Sequence, residues 1–391
     1  MSLSAFHCPP PIRYRRPLIA RDYARRDLAI ELFDRGEYVQ AITETFAHAM
    51  PEVVARTPFV LPMSFAQGSS RFDVRLDGDE LVLTTVLAEL NPGANATALL
   101  RFALSRMAGT GQIYQPRLKD QVVRIEFREQ LRHLHPLKLL EVLMKLPAEA
   151  SGQDQWLAEE FQVARPASAA LTPLTEAEAQ AAVAFWHRHW SDMEILHNEV
   201  RRRRSVRMLD FAGSLASNLT RLVLPLNGSV RIELDEFADE IADREESVSK
   251  RDAAMARLVR AMQGVDDTRL LASLGHGEYA INPLREGSPS MIHSLYGPGE
   301  RMQAVHDHRA NGRLLEAGLE LLSYGTYLLA TCSWAEPVEQ AIAALLASAH
   351  EKPIREVLDS LLVSAESIAE EYGKHGVSAS AEADTPAETM P

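Results

Sequence analysis

Arg71-Phe72-Asp73-Val74-Arg75-Leu76-Asp77-Gly78-Asp79-Glu80-Leu81-Val82-Leu83 is the stretch on which the fold turns. Apolar side chains alternate at 72, 74 and 76, turn residues fill 77–79, and apolar residues resume at 81 and 83. Strand side chains alternate faces, so the pattern gives a hairpin with one buried and one wet face. Val123, Ile125 and Phe127 repeat the alternation in a strand over 121–127. An amphipathic helix over 136–145, opened by Pro136, presents Leu139, Leu140, Leu143 and Met144 on one side. The order β-β-α-β-α describes an α+β domain that presents an antiparallel sheet. It contains no catalytic motif.

Toward the N-terminus, residues 25–50 read as a helical hairpin turning at Gly36, with Ala29, Leu32, Phe33, Tyr38, Ala41, Ile42 and Phe46 at helical spacing. Residues 1–24 form a basic arm, with Pro9-Pro10-Pro11 favouring an extended path and Arg13, Arg15, Arg16 and Arg21 supplying charge. Residues 58–65 are extended and 81–90 form a strand. A helix over 95–108 has Leu99, Leu100, Ala103, Leu104 and Met107 on one face and ends at Gly109-Thr110-Gly111. Trp156, Leu157 and Phe161 mark a closing helix, so the α+β domain spans 25–165.

Residues 166–174 read as a linker, and 175–375 as a mainly α-helical domain. Thr175-Glu176-Ala177-Glu178 is a capping box that opens a helix to about 204. A second helix carries Met208, Leu209, Ala212, Leu215, Leu219 and Leu222. Val230 to Leu234 is a short strand or the entry to a helix at 235–262. The Gly- and Pro-rich stretch 264–300 reads as a long loop. Helices at 301–332, 337–348 and 352–372 follow, and 376–391 has the composition of a disordered tail.

The chain has 391 residues, 46% hydrophobic and 24% charged, with a formal net charge of −13. These are the values of a globular protein. The acidity argues against a nucleic-acid partner, because phosphate binding draws on clustered Lys and Arg. No apolar run approaches the roughly 20 residues a membrane helix needs, and no signal peptide is visible, so the expectation is a cytoplasmic protein without membrane insertion. Cys8 and Cys332 lack metal-ligand spacing.

Arg201-Arg202-Arg203-Arg204 with Arg207 is the strongest charge feature. It suits phosphate, nucleic acid or an acidic partner segment; as a solvated helix end it would complement the helix dipole. The reading preferred from sequence is pairing with the acidic stretch Asp235 to Glu246, within one chain or between subunits. Trp186 and Trp190, four apart, are either core or an aromatic partner-binding patch. His276, His293, His306 and His308 are the candidate ligands of a metal-dependent hydrolase. Helical spacing turns His306 and His308 apart, so no cofactor and no stoichiometric metal is expected.

Leu32-Phe33-Asp34-Arg35-Gly36-Glu37-Tyr38-Val39-Gln40-Ala41-Ile42 resembles one tetratricopeptide repeat, but a single copy cannot stack. The first helix ending near Met50, the hairpin Phe72 to Leu83, the helix with Leu99-Leu100-Arg101-Phe102-Ala103-Leu104, the strand Val122 to Phe127 and the last amphipathic helix resemble class I type III secretion chaperones and YbjN-like proteins. The resemblance covers about a third of the chain. It implies an α-β-β-β-α-β-β-α domain, dimeric, that binds an extended partner segment by a sheet face or groove. Residues 172–372 have no counterpart in that family. The function expected is therefore a non-catalytic, protein-binding adaptor, self-associating as a homodimer.

Overall fold

A computed structural model describes residues 6–12, 21–56, 60–107, 113–150, 154–164 and 171–373. Arg13, Arg15, Arg16, Gly109 to Gly111, most of the linker and the tail 376–391 lie outside the described residues.

The sheet unit opens with α1 (Tyr23–Asp34), α2 (Tyr38–Ala49) and α3 (Pro51–Arg56). Gly36, at φ 81°, turns α1 into α2. Three strands follow, β1 (Met63–Gly68), β2 (Ser70–Asp77) and β3 (Glu80–Glu89), then α4 (Ala96–Met107), β4 (Gln115–Lys119), β5 (Val122–Gln130), α5 (Pro136–Ala150) and α6 (Asp154–Phe161). The sheet is antiparallel in the order β4-β5-β3-β2-β1-β6, the last strand being Glu278–Tyr279. Its inner face buries Phe72, Val74, Leu81, Leu83, Val123, Ile125 and Phe127 against Ile42, Phe46 and Met50 of α2 and Leu139, Leu143 and Leu146 of α5. The alternation at 72–76 and 123–127 thus marks one shared face, as its spacing predicts. Met144 and Leu104, which helical spacing assigns to buried faces, are instead 45% and 56% exposed.

Strand β4 is absent from the sequence reading. Its residues are polar and include Pro116, and the turn to β5 uses Asp120 and Gln121, both left-handed at φ 52° and 63° without a glycine. The usual hairpin signal, Asn-Gly or Asp-Gly, does not appear there.

The helical unit contains α7 (Glu176–Arg203), α8 (Val206–Val223), α9 (Gly228–Ala242), α10 (Val248–Gln263), α11 (Asp267–Ala272), α12 (Pro289–Tyr296), α13 (Glu300–Ala310), α14 (Leu314–Thr331), α15 (Glu336–Ala349) and α16 (Ile354–Tyr372). The capping box on α7 is formed: Thr175 Oγ1 accepts from the Glu178 N–H, and the Glu178 carboxylate accepts from the Thr175 N–H. Hydrogen bonds from the Thr175 backbone and hydroxyl hold the Glu178 carboxyl below its ordinary pKa. Two long helices of the sequence reading are each divided. The helix read over 235–262 starts already at Gly228 and breaks at 243–247, where Ser247 caps α10, and that read over 301–332 breaks at Asn311-Gly312, with Gly312 at φ 69°.

The stretch 264–300 is not a long loop. It contains α11, β6 (Glu278–Tyr279), β7 (Arg285–Glu286) and α12. Strand β6 pairs with β1 at Gln67 and Gly68, and β7 pairs parallel to β8 (Cys332–Ser333). Gln67 is buried and exchanges side-chain hydrogen bonds with the Ile281 backbone at 2.8 and 2.9 Å, while Ile281 enters the core of the sheet unit. The helical unit therefore completes the sheet. Of the linker, Thr172 bridges His276 backbone to backbone. Residues 6–12 dock on the helical unit: Phe6 and Cys8 are buried, and the Ile12 N–H donates to Val223 O.

Candidate functional site

The arginine run does not meet the acidic stretch 235–246. Arg201 donates to Asp252 at 3.0 Å, and Arg202 to Glu199 at 2.8 Å. Arg203 bridges Glu199 and Glu316, at 2.6 and 2.7 Å. Arg207 binds Glu320, a fully buried carboxylate that also accepts from Tyr324 Oη at 2.6 Å. Arg204 is the left-handed residue joining α7 to α8 and makes no ion pair among the described residues. Asp235 is held by Arg221, Glu240 by Arg257 and Glu246 by Lys250. Sequence composition shows that opposite charges are present; the packing of α7 and α8 against α10 and α14 decides which distant partners meet. Arg202 and Arg203 push the Glu199 carboxyl down to about 2.

Trp186 and Trp190 are 1% exposed and belong to the helical core, so they offer no aromatic patch. Trp186 donates its indole N–H to Met262 O, and His189 beside them donates its Nε2–H to Ala216 O, 3.0 Å away.

The four candidate histidines do not converge. His276 lies 3.4 Å from Glu178, His306 lies 3.0 Å from Glu366 on α16, and His308 approaches Glu320 at 3.9 Å. His293 on α12 packs beside Gly297 and Gly373. Each thus faces a different neighbour. A cavity of about 350 Å³ lies between the two units and includes His276 in its wall. Its charged lining is largely self-paired, since Arg221 and Arg231 both face Asp235 at 2.7 and 3.6 Å.

The outer face of the sheet is different. Cross-strand register sets its residues in rows. One row is Arg75-Val82-Arg128, the next Ser64-Asp73-Thr84-Glu126-Gln115, and the next Val86-Arg124-Arg117, with Arg71 opposite Ala66 beside it. Cationic rows thus flank an acidic one. Val82 and Thr84, at the centre of the face, are buried although their row neighbours Arg75, Asp73 and Arg128 are exposed. Arg75 and Arg128 stand on either side of Val82 in register, and long arginine side chains can cover an apolar neighbour with their stems while the charged heads stay in water. Arg128 pairs with Asp77, Glu80 and Glu126, and Arg117 with Glu126 at 3.6 Å. Arg71, Arg75 and Arg124 are exposed and have no ion-pair partner among the described residues. Alternation signalled the wet face in the sequence; the alignment of its charges across strands needed the register.

No family model, curated protein or solved structure matches the chain. Among the described residues, no helix is long and apolar enough to cross a membrane.

Proposed function

We propose that the protein is a non-catalytic adaptor that binds an acidic, extended segment of a partner protein along the outer face of its sheet. The observation that carries this reading is the set of three arginines, Arg71, Arg75 and Arg124, exposed on one sheet face without an ion-pair partner among the described residues, in a chain with net charge −13. A cationic face on an acidic body steers anionic partners and turns cationic ones away. The interposed row of Asp73 and Glu126 matches a polypeptide, whose charges vary along its length, better than a uniform phosphodiester. Among the described residues, the paired rows of this face contain no aromatic side chain on which bases would stack. The order α2-β1-β2-β3-α4-β4-β5-α5 follows the pattern of the chaperone domains that the sequence resembles, which supports recognition of an extended segment and a homodimeric state.

Fluorescence anisotropy with a labelled Glu/Asp-rich 15-residue peptide tests the reading. Binding should weaken as salt rises from 50 to 300 mM, because exposed charges are screened over about 10 Å at 0.1 M. The triple variant R71E/R75E/R124E should bind at least tenfold more weakly while keeping its melting temperature. Equal binding by the variant, or tighter binding of a single-stranded oligonucleotide than of the peptide, would sink the proposal.

A further inference from the structure

We propose that His7, His350 and Glu351 form a binding site for a divalent metal of the zinc class, which clasps the N-terminal segment to the junction between α15 and α16. The three side chains place one donor atom each within 4.8 Å of one another, although they come from opposite ends of the chain. Backbone contacts hold them there. Phe6 bridges His350 in parallel, the Glu351 N–H donates to Phe6 O at 2.8 Å, and Phe6 and Cys8 are buried on either side of His7.

One pair of donors, on His7 and Glu351, is spaced as metal ligands are and not as a hydrogen bond is. His7 Nδ1 lies 3.4 Å from Glu351 Oε1 and, though buried, has no hydrogen-bond partner. An N–H···O bond would close to about 2.9 Å. A tetrahedral metal with bonds of about 2.05 Å holds neighbouring donors roughly 3.3–3.4 Å apart. A gap of that size admits a bare cation but not a water. Two imidazoles with one carboxylate select a borderline metal such as zinc over calcium or magnesium. Glu351 is 63% exposed, so a fourth position opens to solvent. Burial, and the neighbouring His350, lower the His7 pKa, which keeps its ring in the neutral form that ligates. The Arg188 guanidinium, whose charge acts on His7, is itself bound to Asp192 at 3.0 Å.

His350 sets the condition for loading. Its Nδ1 accepts from the Cys8 N–H at 3.1 Å, so without metal the ring proton is on Nε2. A metal on either ring nitrogen ends that hydrogen bond: on Nδ1 it takes the lone pair that the Cys8 N–H uses, and on Nε2 it sends the ring proton to Nδ1. No proton leaves the ring. Metal binding is thus coupled to the Cys8 amide, and this exchange of partners makes the site weaker than a closed four-ligand site.

The test uses the full chain, stripped with a chelator and dialysed against zinc. One zinc per chain by elemental analysis is expected, with a shift of the Cys8 amide resonance on loading and, for cobalt in its place, the visible absorption of a low-coordinate site. His7→Ala and Glu351→Ala should each weaken binding at least tenfold. Glu351 is exposed, so its variant folds and separates lost ligation from lost structure. His306→Ala should bind as the parent does. Zinc held equally by the Glu351→Ala chain, or lost in His306→Ala, or no stoichiometric zinc in the parent, overturns the proposal.

Discussion

Replacing Arg207 with Ala separates an arginine that holds the fold from arginines that merely decorate it. Glu320 is fully buried on α14, and its carboxylate is bound by Arg207 from α8 and by Tyr324 Oη. Removing the guanidinium leaves a buried charge with one hydroxyl donor and His308 3.9 Å away. Breaking a buried pair from one side costs about 3–5 kcal/mol. Arg207 is 46% exposed and water can enter where it stood, so the low end, about 3 kcal/mol, is expected. At about 2–4 °C per kcal/mol for a unit of this size, the melting temperature falls by roughly 6–12 °C. Arg201 is 57% exposed and pairs at the surface with Asp252, so Arg201→Ala should cost well under about 1 kcal/mol. Pairing Arg207→Ala with Glu320→Gln should recover part of the loss, because a neutral amide needs no counter-charge. Thermal and urea unfolding of the three variants measure this directly. If Arg207→Ala and Arg201→Ala melt within 2 °C of each other, the argument that burial of Glu320 sets the cost is refuted.

Ile125→Asp puts an unpaired charge among fully buried neighbours on the inner sheet face, and should unfold the sheet unit; an unchanged melting temperature would show that the face is not buried. His189 is buried, and burial lowers its pKa from 6.5 to about 4. The unfolded chain therefore takes up the proton first as pH falls, and up to about 3 kcal/mol of stability is lost between pH 6.5 and 4. His189→Leu should flatten the melting profile across that window and leave it steep below. Glu199 acts lower: with its folded pKa depressed to about 2, the stability it contributes is present above about pH 4.5 and lost as pH falls toward 2, which Glu199→Gln should remove. Light scattering tests self-association, for which a steady mass near 43.4 kDa across micromolar concentrations counts as failure.

What the sequence made legible was local. Alternation placed Phe72, Val74, Ile125 and Phe127 on one face, and Thr175 with Glu178 fixed the start of α7 to the residue. Spacing put Met208, Leu209, Ala212, Leu215, Leu219 and Leu222 on one buried stripe. Partners distant in sequence were not legible. Arg207 finds Glu320, 113 residues on, because α8 crosses α14, and nothing near either residue announces the other. The same holds for His7 and His350: the histidines that drew attention were clustered in sequence, while those that meet in space are not. Strand β6 was hidden because two residues are too few for any alternation, and its glycine-rich surroundings read as loop.

The sheet's last strand has a consequence for synthesis. Gln67 waits for Ile281, which leaves the ribosome 214 residues later. At about 5–20 residues per second, that is an interval of roughly 10–40 s. Throughout it, the outer edge of β1 presents unpaired backbone groups near Gln67, of the kind that recruit strands from other nascent chains. A fragment ended after α6 would never leave that interval, and its tendency to aggregate should exceed that of the whole chain even if every residue of its own core is in place.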